Sequence, residues 1–262
     1  MCPDITSRQH RIVSAFKSAA RREGELALLD GWHLLHEAFS SQLEITTVAV
    51  SDSTPTDRDR TLLTRLSHTC DVVTVTAAVM QALSPARTPS GVVALARPRL
   101  AKMRDVLSPT PSLTLVAVDV QDPGNAGAIV RSAEAGGATG VVFTGATADP
   151  WGWKALRSAM GSTFRVPLLR DPDPIVVLEG LRKAGLSLVA AAPHAVTSMH
   201  DDDFRHALAF VLGGEGRGLD RSILDRTDRQ VAIPMSGGVE SLNVAVAAAL
   251  LVYEARRQRA SR

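Results

Sequence analysis

The 262-residue chain carries 45% apolar residues, enough for the core of one large domain or two ordinary ones, and its net charge of +2 is too small to announce a polyanion partner. Its longest apolar run, Val244 to Tyr253, is far short of a bilayer span, and Met1-Cys2-Pro3-Asp4 opens no signal segment, so a cytoplasmic protein without a membrane partner is expected. Cys2 and Cys70 stand far apart, suggest neither a disulfide framework nor a metal site, and read as inert thiols.

In chain order, a helical pattern around Ile12 to Ala20 comes first. Arg8, Arg11, Lys17, Arg21 and Arg22 face only Asp4 in this stretch, and two readings stand: a phosphate-tracking surface or a solvated helix face. "ALLDGWHLLHEAFS" offers a strand, a turn at Asp30-Gly31, and a helix burying Leu34, Leu35 and Ala38. "TTVAVS", "DVVTVT" and "GVVALARP" are short β-branched strand signals. "RPRLAKMRDVLSPTPS" has the composition of a linker, which predicts a small α/β domain over 1–105 and a second domain over 106–262.

The second part opens with "SLTLVAVDV", a strand buried on both faces, then the loop "QDPGN", the helix "AGAIVRSAEAGG" and the strand "GVVFTG": a βαβ unit. Further strands are expected at "LSLVAAAP", "LAFVLGG" and "RQVAIPM", with a long closing helix from Leu242. The tail "RRQRASR", with Arg256, Arg257, Arg259 and Arg262, reads either as a frayed cationic helix end or as a binding element.

Three loops carry chemistry. In "DVQDPGNAGAIVRSA", Pro123 and Gly124 form a turn and Asn125 is placed to cap the next helix; Arg131 either binds an anion or pairs with Glu134 three residues on. "FVLGGEGRGLD" packs four glycines into six residues, with Glu215 and Arg217 between them, and allows close approach to a ligand. It follows a late strand, which is wrong for a dinucleotide-binding fingerprint. "IPMSGGVESLNVAVAAAL" sets Ser241 and Asn243 where a helix start leaves N–H groups without partners, so either could cap or bind a small molecule. Three polar loops after three strand ends imply convergence at one edge of a parallel sheet.

Together and in order, these segments resemble the SpoU/TrmH branch of the SPOUT methyltransferases, which methylate ribose 2′-hydroxyls in RNA. Asn125, Gly127 and Arg131 match the first motif, "LGGEGRGL" the second and "IPMSGGVESLNVAVAAAL" the third. "RSAMGSTFRVP" is similar to the connecting segment, and "LLDGWHLLHEA" with "RTPSGVVALARP" to an accessory RNA-binding domain. The resemblance implies an α/β fold with a mostly parallel sheet and a C-terminal trefoil knot, preceded by a small domain like certain ribosomal proteins. It implies S-adenosylmethionine held around Leu212, Gly213, Gly214, Ile233, Met235, Ser241 and Leu242, and a homodimer whose closing and first-motif helices lie near the partner. No metal is expected.

The catalytic set it implies is Arg131, Asn125, Glu215, Ser241 and Asn243. A guanidinium keeps its proton, so Arg131 is read as binding the target phosphate and stabilising charge on the ribose oxygen rather than as a base. Asn125 would orient Arg131 or the ribose, and Glu215 would hold the loops or Arg131. RNA is the expected partner, ribosomal rather than transfer, with Arg8, Arg11, Lys17, Arg21, Arg22 and Arg157 as contacts. One Tyr and three Trp leave no extended stacking platform, so recognition should lean on phosphates and shape. Asp30 stands where the family usually has Glu, a change expected to touch packing more than function. His194, His200 and His206, six apart, do not share a helix face and are read as part of a solvated acidic loop. A transfer RNA substrate, or a knotted RNA-binding assembly factor without catalysis, are the alternatives.

Overall fold

The computed structural model describes residues 4–51, 55–216 and 218–260; Cys2, Arg217 and Arg262 lie outside the described residues. In chain order the elements are α1 Arg11–Arg21, β1 Ala27–Asp30, α2 Trp32–Ser40, β2 Ile45–Ser51, α3 Asp57–Leu66, β3 Asp71–Val75, α4 Ala77–Leu83, β4 Val92–Ala96 and α5 Met103–Val106. They continue through β5 Leu113–Val118, α6 Pro123–Gly136, β6 Gly140–Thr144, α7 Trp153–Ala159, β7 Leu168–Asp171, α8 Pro174–Lys183, β8 Ser187–Ala191 and β9 Thr197–Ser198. The last are β10 Leu208–Gly213, α9 Arg221–Leu224, β11 Arg229–Ala232 and α10 Val244–Ala260.

These elements form two compact units, one of residues 1–99 with 151–164, the other of 100–150 with 165–262. The first unit has a four-stranded sheet in the order β1-β4-β2-β3, antiparallel except where β2 meets β3. Period-two alternation sends Leu29 and Val48 to the face under α2 and α3, and Leu28 and Ala49 to the face under α1 and α4. Trp151, Leu156 and Phe164 join the α2 and α3 side, so the α7 segment belongs to this unit's core. A reading with one cut along the chain has no place for such an excursion. Asp30 ends β1 rather than standing in a turn: its buried carboxylate accepts from the Ser84 hydroxyl at 2.5 Å and the Ser90 hydroxyl at 3.2 Å. Cys70 is half-buried, and burial, followed by the Asp71 charge, pushes its thiol up.

The second unit has a seven-stranded sheet, β7-β6-β5-β10-β8-β11-β9, parallel throughout. Its strands are continuous apolar runs because helices cover both faces. Val116, Val142, Val211 and Leu188 face α5 and α8. On the other face α10 packs along α6, and the contact is close enough that a Cβ at Gly136 would collide with Val252. The chain thus leaves β11, toward the far flank, and returns across the strand ends to a helix beside β10 and α6, the course the expected knot demands. β7 and β9 have no counterpart among the expected strands. "LLRD" is half exposed and Thr197–Ser198 is two residues long, so neither shows a periodic signal.

Candidate active site

All of the second unit's strands point the same way, so the loops that follow β5, β8, β10 and β11 open on one edge. There the loops after β8, β10 and β11 line a cleft of about 710 Å³. Leu212, Gly213, Gly214, Ile233, Met235, Ser241 and Leu242, the expected cofactor residues, all line it, with Glu215 and Asn243 beside them. His194, from the loop after β8, also lines it and was not assigned there. The signal that marks it is the one used for the other loops: a polar residue just past a strand's carboxyl end.

The glycines after β10 divide into two physical classes. A Cβ at Gly213 would strike the Gly218 backbone and one at Gly214 would strike the Asp119 carbonyl, so these two are small because backbone crosses backbone. Gly216 and Gly218, at φ +87° and +63°, occupy the left-handed region that L side chains avoid. The loop is glycine-rich to be built at all, before any ligand approaches.

Helix α6 begins earlier than expected. Pro123 and Gly124 are its first residues, and the cap is Asp122, whose carboxylate accepts from the Asn125 N–H at 2.8 Å. Asn125 is therefore not the cap, and its side chain is free to turn outward. It donates to the Glu215 carboxylate and accepts from the Asn243 amide at 3.0 Å. Asn243 does two jobs, since its oxygen caps α10 by accepting from the Ala245 N–H at 2.9 Å. One chain of hydrogen bonds, Asn243 to Asn125 to Glu215, thus ties together the three polar loops found in the sequence. Ser241 is exposed on the cleft and makes no hydrogen bond among the described residues.

Arg131 does not join that chain. It lies exposed on α6, lines no part of its own chain's cleft, and meets neither Asn125 nor Glu215 among the described residues. Nor does it pair with Glu134, whose carboxylate is taken by two hydrogen bonds from Arg165, one of them 3.0 Å. As far as Ala260, the last described residue, the cationic tail is likewise neither frayed nor open. Arg256 donates to the Ala135 carbonyl at 2.6 Å, Arg257 binds Glu254 at 2.7 Å, and Arg259 reaches the carbonyls of Pro111, Ser112, Phe204 and His206. Burial of Arg259 pushes its guanidinium pKa down.

The expected RNA contacts are similarly sorted by their partners. Arg8 donates to the Ala78 carbonyl at 2.9 Å, Arg22 closes α1 and donates to the Leu26 carbonyl, and Arg21 faces Glu23 at 3.4 Å. Arg11, Lys17 and Arg157 are exposed with no acidic partner among the described residues. The three histidines do not converge: His194 is in the cleft, His200 lies 3.8 Å from Glu254, and His206 lies 3.4 Å from Asp203.

A parallel sheet with its polar loops and cleft at the strands' carboxyl edge places the second unit among α/β ligand-binding enzymes. The profile of the SpoU rRNA Methylase family matches residues 112–253, and that of the MRM3-like substrate binding domain matches residues 15–94. The chain belongs to the SpoU rRNA methylase family. It is 35% identical to an uncharacterized tRNA/rRNA methyltransferase of Synechocystis, over 97% of this chain and 93% of the other. It is 34% identical to the 23S rRNA (guanosine(2553)-2′-O)-methyltransferase RlmP of Bacillus subtilis, over 87% and 88%. Among solved structures, the SpoU methyltransferase AviRb of Streptomyces viridochromogenes in complex with AdoMet aligns with a TM-score of 0.87 at 27% identity, covering 97% of this chain and 99% of that one.

Proposed function

We propose that this chain is an S-adenosylmethionine-dependent ribose 2′-O-methyltransferase that acts on 23S ribosomal RNA as a homodimer. One observation carries the reading: the Asn243–Asn125–Glu215 chain joins the three motif loops at the mouth of a cleft that combines apolar walls with the polar side chains of His194, Gln230, Glu240 and Ser241. The cleft fits the cofactor's chemistry. Leu212, Leu219, Ile233 and Leu242 offer apolar walls for an adenine ring. The segment 234–242 belongs to no strand or helix, so its N–H and C=O groups are available for the polar edge.

When bound, the cofactor supplies an electrophilic methyl group on sulfur. The protein's task is to bring a ribose hydroxyl into line behind that group and to stabilise the charge that develops as its proton leaves. Arg131 keeps its guanidinium open because Arg165 occupies Glu134, and it binds the target phosphate and the developing oxyanion. Asn125 and Glu215, locked together, hold the loop after β10 against α6, and Ser241 offers the substrate a free hydroxyl.

Val246, Leu250 and Tyr253 recur at helical spacing on α10 and are 48%, 38% and 51% exposed, an apolar stripe suited to a second copy. In such a dimer Arg131 of one protomer completes the cleft of its partner.

The test is incubation with methyl-labelled S-adenosylmethionine and separate pools of unmodified ribosomal and transfer RNA. Label on a ribose in 23S RNA that disappears in Arg131→Ala supports the reading. Label in transfer RNA alone moves the substrate, and none in either pool, with cofactor bound to folded protein, leaves a non-catalytic RNA-binding factor. Sedimentation should show a dimer that Leu250→Asp splits.

A further inference from the structure

Between α2 and α3 the first unit holds a second groove, of about 810 Å³, away from the charged face of α1. Its floor is apolar, formed by Leu43, Ile45, Leu62 and Leu66, all buried. Its charges do not balance. Glu44 is already paired with Arg97 at 3.1 Å. Asp59 is held by Thr56 and by His36 Nε2 at 2.8 Å; burial works against its carboxylate, yet these hydrogen bonds keep its pKa below the ordinary value. The two arginines on the rim, Arg58 and Arg65, meet no carboxylate among the described residues.

The two arginines are seven residues apart on one helix and so share a face, with roughly 10 Å of axis between them. Their surroundings differ. Arg58 is a plain exposed cation. Arg65 lies with its guanidinium carbon 4.5 Å from the centre of the Phe39 ring, a stack whose outer side is open to solvent. A guanidinium supported on an aromatic ring presents a flat cationic surface, the kind on which an unstacked base settles. Thr61, on α3, and Thr69, just past its end, also line the groove, their hydroxyls donating to the Asp57 and Leu66 carbonyls and keeping lone pairs for a donor on the ligand.

We infer that this groove docks one unpaired nucleotide of the RNA substrate, its phosphate on Arg58 and its base on the Arg65–Phe39 stack. The inference rests on the reading of the chain as an RNA-modifying enzyme and adds where the first unit grips the substrate. It also adds to α1, where Arg8, Arg21 and Arg22 are engaged within the chain and Arg11 and Lys17 are open, a second face whose cations are unspent.

The experiment is fluorescence anisotropy of labelled octauridylate with the full chain across a salt series. Arg58→Ala should weaken binding several-fold and flatten the log affinity against log salt slope by ~0.7, the value for one lost phosphate contact on a single strand. Phe39→Leu should weaken binding several-fold with the slope unchanged, since stacking releases no counterions. Should Phe39→Leu fold poorly, Arg65→Ala at the exposed rim replaces it and should lower both affinity and slope. Wild-type affinity and slope in Arg58→Ala and Arg65→Ala would overturn the inference. So would polyglutamate displacing the probe as well as unlabelled octauridylate does, because the groove would then suit an acidic protein. Methylation of RNA at the wild-type KM by the double arginine variant sinks the groove and spares the enzyme. Groove-dependent binding with no methylation in any pool sinks the enzyme and spares the groove.

Discussion

Helices α6 and α10 lie side by side in the second unit, and each carries arginines, but the two dispose of their charge in opposite ways. On α10 the arginines 256, 257 and 259 are all bound within the unit, to the Ala135 carbonyl, to buried Glu254 and to a ring of four carbonyls. On α6, Arg131 has a carboxylate three residues away and does not use it, because Arg165 comes from outside the helix and takes both oxygens. In the linear sequence the tail reads equally as a frayed end or a binding element, and Arg131 as an anion site or a partner of Glu134. The difference teaches that an arginine's availability is set by tertiary partners competing for the nearby acceptors.

The largest way to break this contrast is to remove the open charge itself. Arg131→Ala should lower kcat/KM by about 10²- to 10³-fold, the scale of losing one donor to a developing oxyanion, while leaving the unfolding temperature unchanged. A loss below tenfold in the methyl-transfer assay would mean that Arg131 is merely a surface residue.

The closed side is tested by acid. Glu254 is buried, and the hydrogen bond from Arg257 outweighs burial to bring its carboxyl from 4.5 to about 2. A depressed folded pKa stabilises above the unfolded value and is lost as pH falls from about 4.5 toward 2. With a discount for the exposure of Arg257, the contribution is about 2 kcal/mol. Urea midpoints at pH 6 and pH 3 should therefore fall further apart in the wild type than in Glu254→Gln. Equal pH dependence would show that the buried pair adds nothing.

The two helix starts can be compared next. Asp122→Ala removes only a cap and should cost about 1 kcal/mol in thermal or urea unfolding, with turnover per folded molecule intact. Asn243→Ala should cost a similar amount and lower turnover as well, because the same side chain also reaches Asn125. Asn243→Asp keeps an acceptor for the cap and removes the donor, so it should restore most of the stability and little of the turnover. Equal turnover in all three would separate the amide chain from function.

The smallest effect concerns Arg165. Arg165→Gln frees Glu134 to attract Arg131, and an i,i+3 pair on a helix is worth about 0.2–0.5 kcal/mol. The expected loss in kcat is thus about twofold, returning to the wild-type value in Arg165→Gln/Glu134→Gln. A double variant no better than the single one would mean that Arg165 acts by some other route.

Much of the second unit was legible because its signals are local. Buried parallel strands are unbroken apolar runs, and polar, glycine-rich loops after them mark the edge where ligands bind. What escaped was short or shared. β7 and β9 are too brief to show a period, and the α7 segment packs into a unit whose other residues lie at least fifty positions earlier. The Asn125 cap was misjudged for a similar reason. "DPGN" holds two good capping residues three apart, and Pro123 is tolerated inside the first turn, where its missing N–H has no role.

Periodicity and composition by themselves determined the α/β class and the strand edge that bears the cleft, since each depends on neighbours a few positions away, while the residues expected around the cofactor came from the resemblance of the motifs. Pairing was decided only in three dimensions. Whether Arg131, Arg259 or Arg58 is free, and whether Gly213 and Gly214 are small for a ligand or for crossing backbone, depends on groups brought together from distant parts of the chain. A side chain's type limits what it can bind; folding decides which of its possible partners reaches it first.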